Sequence, residues 1–294
     1  EIGSGLVGSE MCIRDRHMTL SQQLYLTVQL SIPAVIAQLS SIIMQYIDAS
    51  MMGHLGAEAS ASIGLVSTTT WLFWGLCVAS ATGFSVQVAH KIGAGDIQGA
   101  RAVLRQSLVS TFLFSVILAL IGSAVSGILP AWLGGGISIR HDASLYFFVF
   151  SLFLPALQMN FLAGGMLRCS GNMLVPSIAG VAMCVLDVVF NFLLIFPSRQ
   201  CELADVTFIV PGAGLGVKGA ALGTAAAETV IAIVLLWYLW TRSNELKLTG
   251  ERYDFRLSAS TIRKALHIGC PMGLEHIVIC GAQIMTTVTV SYTH

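Results

Sequence analysis

Long apolar stretches constrain this chain more than any other feature of its sequence. A membrane-spanning helix needs about 20 mainly apolar residues, and seven stretches reach that length. In chain order the predicted spans are Leu24–Gly53, Ser62–His90, Leu104–Leu133, Ser144–Leu167, Pro176–Pro197, Leu215–Thr241 and Ile262–Val290. Only 10% of the 294 residues are charged, against about 25% in soluble domains. The chain is therefore predicted to be an all-α integral membrane protein whose main partner is the lipid bilayer.

The distribution of basic residues predicts how the spans are oriented. Ten lysines and arginines fall in one set of loops and three in the opposite set. Because basic residues accumulate on the cytoplasmic side, the first set and the N-terminus are predicted to be cytoplasmic. The short loops favour a bacterial inner (plasma) membrane. The net charge is zero and no basic stripe carries interleaved aromatic residues, so nucleic acid is not expected as a partner.

Four carboxylates lie within spans that are otherwise almost free of charge: Asp48, Asp187, Glu228 and Glu275. An ionised carboxylate at the centre of a bilayer costs at least ~2.5–3.5 kcal/mol. A chain that keeps four of them either pairs them or uses them to hold protons, metal cations or cationic ligands. This pattern favours a transport function over a passive anchor.

Three of the spans bring oxygen-bearing side chains to a similar depth. At ~1.5 Å per residue, Asp48, Asn191 and Thr224 fall within roughly 8–14 Å of the predicted outer surface. Asp187 lies one turn deeper than Asn191 on the same helix face, and Glu228 lies one turn deeper than Thr224. Such oxygen atoms suit a proton or a hard monovalent cation. The alternative is that these groups only form hydrogen bonds between helices.

Other polar, aromatic and sulfur-containing side chains lie at membrane depth. Candidates for a substrate path are Gln45, Met44, Trp74 and Gln87. Lipid-facing or core packing explains these residues as well as a path does. Gln158 and Asn160 are further polar groups inside a span, where hydrogen bonding between helices is an equal alternative. Pro33 is a candidate hinge, because proline removes a helical hydrogen bond.

Cysteine and histidine spacing gives no sign of a metal site. The seven cysteines and seven histidines form no CxxC and no HExxH pattern, which are the spacings typical of metal ligands. No nucleophile and base are paired near a helix end. The sequence therefore predicts no metal site, no catalytic residues and no enzymatic activity.

Several motifs, in the expected order, resemble those of the multidrug and toxic compound extrusion (MATE) family of efflux transporters. They are Asp48–Ala59 (DASMMGHLGAEA), Ala89–Asp96 (AHKIGAGD) followed by Ala100 and Arg101, Leu167–Asn172 (LRCSGN) with Pro176, Asp187–Phe196 (DVVFNFLLIF) and Gly216–Thr224 (GVKGAALGT). The resemblance covers roughly residues 20–290. It implies a full-length protein of twelve helices in two homologous six-helix lobes.

The resemblance divides the chain into segments. Residues 17–241 correspond to an N-lobe of six transmembrane helices, 242–261 to a cytoplasmic linker, and 262–290 to the first helix of a second, truncated lobe. Pro33 and Gln45 of the first span align with Pro271 and Gln283 of the seventh, which fits a protein built from two homologous halves. Residues 1–16 and 291–294 resemble translated sequencing adaptors and are expected to be non-native tails.

The family resemblance also implies an activity and a cation site. It implies export of small cationic or amphipathic compounds in exchange for H+ or Na+, with no other cofactor and with the missing C-terminal lobe required in cis. The N-lobe cation site would comprise Asp48, Asp187, Asn191 and Thr224. Many members have asparagine and then an acidic residue where this chain has Asp187 and then Asn191, which leaves proton and sodium coupling both open. Glu275 lies about one turn earlier than the helix-seven glutamate that some members use for coupling.

Three other classes are compatible with a multi-span chain. A lipid-linked saccharide flippase of the same superfamily usually lines its cavity with basic residues, whereas no lysine or arginine falls in the middle of a span here. A seven-helix receptor would place its N-terminus outside the cell, in conflict with the loop charges. A membrane enzyme would need the catalytic groups that the sequence lacks.

Overall fold

The computed structural model describes residues 19–203, 206–243, 245–248 and 258–293. Its helices are α1 (Leu20–Leu55), α2 (Ala57–Gly93), α3 (Ile97–Val125), α4 (Leu129–Trp132), α5 (Ile137–Leu152), α6 (Leu154–Cys169), α7 (Leu174–Ile195), α8 (Val217–Thr241) and α9 (Ala259–Thr293). Two antiparallel strands, β1 (Pro197–Leu203) and β2 (Val206–Ala213), form a hairpin between α7 and α8. The predicted tail 1–16 and the middle of the predicted linker, residues 249–257, lie outside the described residues.

The helices confirm the prediction of an all-α membrane fold. Within the described residues, six helices are long and apolar enough to cross a bilayer, and α5 with α6 makes a seventh span if the bent pair is counted as one. Large apolar side chains are exposed along α1 and on one side of α8, for example Leu24, Ile36 and Trp237. Exposed apolar surface of this kind is typical of helices that contact lipid or another membrane helix.

Two of the predicted spans differ from the observed helices. The span predicted as Ser144–Leu167 is broken at Phe153, where α5 and α6 meet at 48°. Pro155 explains the break, because its ring would clash with the carbonyl four residues earlier in a continuous helix. The span predicted as Leu104–Leu133 begins earlier and ends at Val125, after which the short helix α4 begins with Pro130 in its first turn.

Close packing of α8 against α7 depends on small residues. A Cβ atom added at Gly219 would lie 2.5 Å from the Leu194 carbonyl oxygen and 2.9 Å from the Ile195 nitrogen. Small residues at such positions let the backbones of membrane helices approach closely. The α7 face that carries Asp187 and Asn191 is thereby pressed against the α8 face that carries Thr224.

The other helices surround this pair. The helix α1 packs chiefly on α7, while α6 and α5 pack on α8. The helix α2 lies centrally, in contact with α3, α5, α6 and α9. Glycine also permits the α2–α9 contact: the ring of His276 sits against Gly75, and the Ala79 carbonyl lies against Gly269. The first helix of the predicted second lobe is therefore packed on α2.

The predicted cytoplasmic loop between α2 and α3 is held by its own motif residues. Asp96 caps α3 by accepting a 2.8 Å hydrogen bond from the Gly99 amide, and Lys91 Nζ lies 2.6 Å from its other oxygen. The hydrogen bond from Lys91 holds the pKa of Asp96 below its ordinary value. Arg101 donates a 2.7 Å hydrogen bond to the Glu245 carbonyl, which ties α3 to the segment after α8.

Candidate cation-binding site

One amide bridges two carboxyl groups inside the helix bundle. The Asn191 side-chain nitrogen donates to Asp48 Oδ1 at 3.0 Å and to Asp187 Oδ2 at 3.1 Å. Asp187 is 0% exposed and Asn191 1% exposed, whereas Asp48 is partly exposed. The structure thus joins α1 to α7 through the residues that the sequence placed at a common depth.

Two buried oxygen atoms of this group have no hydrogen-bond partner on the protein. They are Asp187 Oδ1 and Asn191 Oδ1. An unsatisfied buried polar atom is uncommon in folded proteins and often marks a functional site. Because both atoms are acceptors, they are suited to a proton donor or to a cation.

The helix α8 completes the group from the other side. The Thr224 hydroxyl lies beside the Asp187 carboxyl, and the Glu228 carboxyl is close enough for its charge to act on Asp187. The Asn160 amide of α6 donates a short hydrogen bond to Glu228 Oε2. Hydrogen bonds join Asp48, Asn191 and Asp187, and Thr224 and Glu228 lie close to them. We call these five residues the carboxylate cluster.

Tyr146 belongs to the surroundings of the cluster, although the sequence did not single it out. It lies on α5, near enough to Asp48 and Asp187 to interact with their charges. It is one of several aromatic residues in its stretch, and nothing in the sequence distinguishes it from Phe147 or Phe148. Asn160 was identified as a polar residue at membrane depth but was not paired with Glu228. Matching amides to carboxylates of similar depth would have suggested that pair.

Glu275 and Pro33 lie apart from the cluster. Glu275 is exposed on α9, and α9 packs mainly on α2, which carries none of the cluster residues. The helix α1 continues from Leu20 to Leu55 through Pro33. Coupling through Glu275 and a hinge at Pro33 both stay predictions.

The four candidate substrate-path residues have different environments. Met44 is buried one turn before Asp48, whereas Gln45 is exposed. The Trp74 ring packs edge-on against Phe161, with ring centroids 5.2 Å apart.

Gln87 has a structural contact of its own. Its side-chain nitrogen donates to the Thr261 carbonyl at 3.2 Å, which ties α2 to the start of α9. Gln87 also lines an open cleft of about 1340 Å³ with Lys91, Arg263 and His267.

Gly223 keeps the Asn191 amide in place, which gives a first prediction. An added Cβ would collide with Asn191 Oδ1 and would lie 2.9 Å from the Asn191 backbone nitrogen. Gly223→Val is expected to destabilise the protein by ~1–3 kcal/mol and to weaken cation binding. The change is measured as a lower melting temperature and a higher cation concentration at half-saturation. Gly64→Val is the matched control, because nothing lies within 4 Å of its added Cβ. Equal effects of the two substitutions would contradict this role for Gly223.

Comparison with known proteins decides the family. Residues 33–193, more than half of the chain, match the family model described as MatE. The chain belongs to the MatE family. The resemblance of the sequence motifs to MATE transporters is thereby confirmed, and the chain is a multi-pass membrane protein of a family of transporters, not of enzymes.

Curated relatives of the chain carry transporter names. It is 24% identical over 270 residues to a protein of Shewanella oneidensis named "FAD transporter", covering 90% of this chain and 56% of the relative. It is 26% identical over 266 residues to "Probable multidrug resistance protein NorM" of Pseudomonas syringae pv. tomato, covering 88% of this chain and 54% of the relative. The chain spans about half the length of the curated relatives that it matches.

Solved structures agree on the fold. One solved structure superposes on this chain with a TM-score of 0.74 at 24% identity, covering 85% of this chain and 52% of that chain. It is described as an outward-facing multidrug resistance MATE family transporter of the MOP superfamily. A MOP superfamily transporter from Pyrococcus furiosus, described as having reverse polarity of its binding pocket, superposes with a TM-score of 0.75 at 24% identity over the same shares.

Proposed function

We propose that the chain is the N-lobe, with the first helix of the second lobe, of a secondary antiporter. It exports small cationic or amphipathic compounds in exchange for H+ or Na+, from a plasma membrane in which its N-terminus is cytoplasmic. The observation that carries this proposal is the single Asn191 amide shared by the Asp48 and Asp187 carboxyl groups.

Charge explains why this arrangement takes up a cation. The Asp48 and Asp187 oxygens contact the same nitrogen, so they lie within about 6 Å, where two full charges repel by ~3 kcal/mol at an effective dielectric constant of ~20. The helices α1 and α7 carry no lysine or arginine that could offset them. A proton or a sodium ion entering from outside removes this repulsion and the cost of burying charge.

The packing of α1 allows uptake of the cation to act on the shape of the lobe. This helix is held mainly by α7, and most of its other side chains are exposed. Neutralising Asp48 changes the hydrogen bond that joins α1 to α7, so α1 repacks, bending at Pro33. The repacked helix displaces a bound cationic drug and favours return to the inward-facing state. Cation uptake and drug binding are thus competing events at one site.

The charge of the lobe favours a cationic cargo. One relative is named for multidrug resistance and another for FAD transport, so family membership alone does not choose the cargo. The carboxylate cluster is anionic and attracts cations. A flippase for anionic lipid-linked saccharides would instead need basic residues in its cavity, which α1 and α7 lack.

The proposal is tested with the protein expressed from its complete gene and reconstituted in proteoliposomes. A pH gradient and a sodium gradient are imposed separately, and movement of ethidium or of FAD is followed by fluorescence. We expect one of the two gradients to drive ethidium in the direction opposite to the ion. We expect neither gradient to drive movement of FAD. Ethidium transport at a rate that depends on neither gradient, or transport of FAD alone, would contradict the proposal.

A further inference from the structure

The open cleft of about 1340 Å³ lies between the end of α2 and the start of α9. Both helices contribute basic side chains to its walls. From α9 these are Arg263, Lys264 and His267, and from α2 they are His90 and Lys91. This end of the bundle is the one that the loop charges predict to be cytoplasmic. The cleft therefore lies at the predicted inner surface of the membrane.

Two positive charges of the cleft are not offset. Lys91 and Asp96 form an ion pair, with Nζ 2.6 Å from Oδ2, so their charges cancel. Asp96 is the only carboxylate among the described residues that line the cleft. Arg263 and Lys264 are exposed and form no ion pair with the described part of the chain. The cleft therefore attracts an anion.

An apolar groove of about 590 Å³ lies next to the cleft, in the membrane-spanning part of the bundle. Its walls come from α2, α3 and α9, for example Phe84, Phe114 and Ile277. Along α9 the lining extends from Ile262 to Ile277, which is roughly 22 Å at ~1.5 Å per residue. The whole hydrocarbon core of a bilayer is ~30 Å thick, so the groove is long enough to cross one leaflet.

The cleft and the groove share part of their lining. Leu266, Cys270 and Leu274, each one helical turn from the next, line both cavities. Leu266 is 57% exposed and Leu274 is 60% exposed, so this stripe of α9 is open between the two cavities. A molecule that fills both must carry an anionic group at one end and apolar chains at the other.

We propose that the cleft and the groove together bind one anionic phospholipid. Its phosphate lies between Arg263 and Lys264, and an acyl chain follows Leu266, Cys270 and Leu274. Basic pockets between transmembrane helices are known to bind anionic lipid headgroups. The bilayer supplies such lipids directly, whereas a small soluble anion has no apolar part to fill the groove. Such a site does not depend on the identity of the cargo or of the coupling ion.

The position of the site gives the lipid a structural effect. The helix α2 belongs to the proposed N-lobe, and α9 begins the proposed second lobe. Their pairing is close beside the cleft, where a Cβ added at Gly83 would collide with the Ala265 carbonyl oxygen and where Gln87 donates to the Thr261 carbonyl. A lipid seated here contacts both helices and stabilises their pairing.

The test uses the protein expressed from its complete gene, purified in detergent and freed of lipid. Phosphatidylglycerol and phosphatidylcholine with identical acyl chains are titrated separately, and native mass spectrometry counts the bound lipids. We expect one phosphatidylglycerol to bind more tightly than any phosphatidylcholine and to raise the melting temperature. Arg263→Gln with Lys264→Gln is expected to weaken this binding by on the order of 25-fold, since each basic residue contributes about a factor of 5 to the attraction of anionic lipid.

Arg242→Gln with Lys247→Gln is the matched control. These two residues are exposed, follow α8 on the same predicted side of the membrane and do not line the cleft. The control removes the same number of charges and is expected to bind phosphatidylglycerol as the unmodified protein does.

Several results would overturn the lipid site. Equal binding of the two lipids would leave no selectivity for an anionic headgroup. Unchanged binding in Arg263→Gln with Lys264→Gln, or equal weakening in the control pair, would remove the cleft from the account. An equal rise in melting temperature with glycerol phosphate, which has the anionic group but no chains, would show a site for small anions instead of lipid.

Leu274→Gln is a second test, which decides if Arg263→Gln with Lys264→Gln fails to fold. It keeps both charges and places an amide in the apolar groove. Weaker binding of phosphatidylglycerol in this variant would support the site, and unchanged binding would overturn it.

Discussion

Replacing Asp48 by Asn is expected to reduce gradient-driven export by on the order of 5–150-fold, the usual range of an energetic coupling between two sites. The asparagine side chain can still accept a hydrogen bond from Asn191, so the contact between α1 and α7 is kept. It cannot ionise, so on the proposed mechanism Asp48 no longer takes part in the cycle of cation uptake and release. Export is measured as drug resistance and dye efflux in cells without other pumps, with the amount of protein in the membrane determined in parallel.

The matched control for Asp48→Asn is Glu58→Gln. Glu58 lies in the first turn of α2, near the same end of the lobe, and is exposed. Its substitution removes the same charge from a solvated position and is expected to leave export unchanged. Full drug resistance in Asp48→Asn would contradict the role assigned to the carboxylate cluster.

A disulfide between α1 and α7 is expected to stop export reversibly. A Cβ added at Gly180 would lie 3.6 Å from the Ala37 Cβ, within the ~3.5–4.5 Å that a disulfide spans. Ala37→Cys with Gly180→Cys, in a protein without its native cysteines, should therefore cross-link on oxidation. If α1 must repack against α7 in each cycle, the cross-linked protein falls to background export. A reductant should restore it.

The two single-cysteine variants are the controls for this cross-link. Treated with the same oxidant, each is expected to keep the export rate that it shows when reduced. The extent of cross-linking is read from a shift in gel mobility after cleavage between the two helices. Undiminished export by a fully cross-linked protein would rule out movement of α1 relative to α7 as the coupling step.

The sequence predicted the spans well, because the thickness of the bilayer fixes the length of an apolar helix. It also predicted a common depth for Asp48 and Asn191, since depth along a helix follows from counting residues. That these two residues and Asp187 lie together was implied only by the family resemblance. The bridging position of Asn191 could not be predicted in this way. Depth gives the height of a residue but not the direction in which its side chain points, which depends on packing at Gly219 and Gly223.

The remaining differences have local causes. The break at Phe153 follows from Pro155, whose position in the sequence does not determine the angle between α5 and α6. The hairpin formed by β1 and β2 depends on pairing between segments with no clear alternation of apolar and polar residues. Tyr146 joins the surroundings of the cluster because α5 packs against α8, a contact that no pattern within one helix reveals.

The most direct test of the central claim is to add a cationic drug to the purified full-length protein at constant pH and to measure the cation that is released. If drug and coupling ion compete through the carboxylate cluster, the drug should release protons or sodium from the unmodified protein. It should release none from a variant that combines Asp48→Asn with Asp187→Asn. Drug binding without any cation release, or equal release from the double variant, would contradict the account.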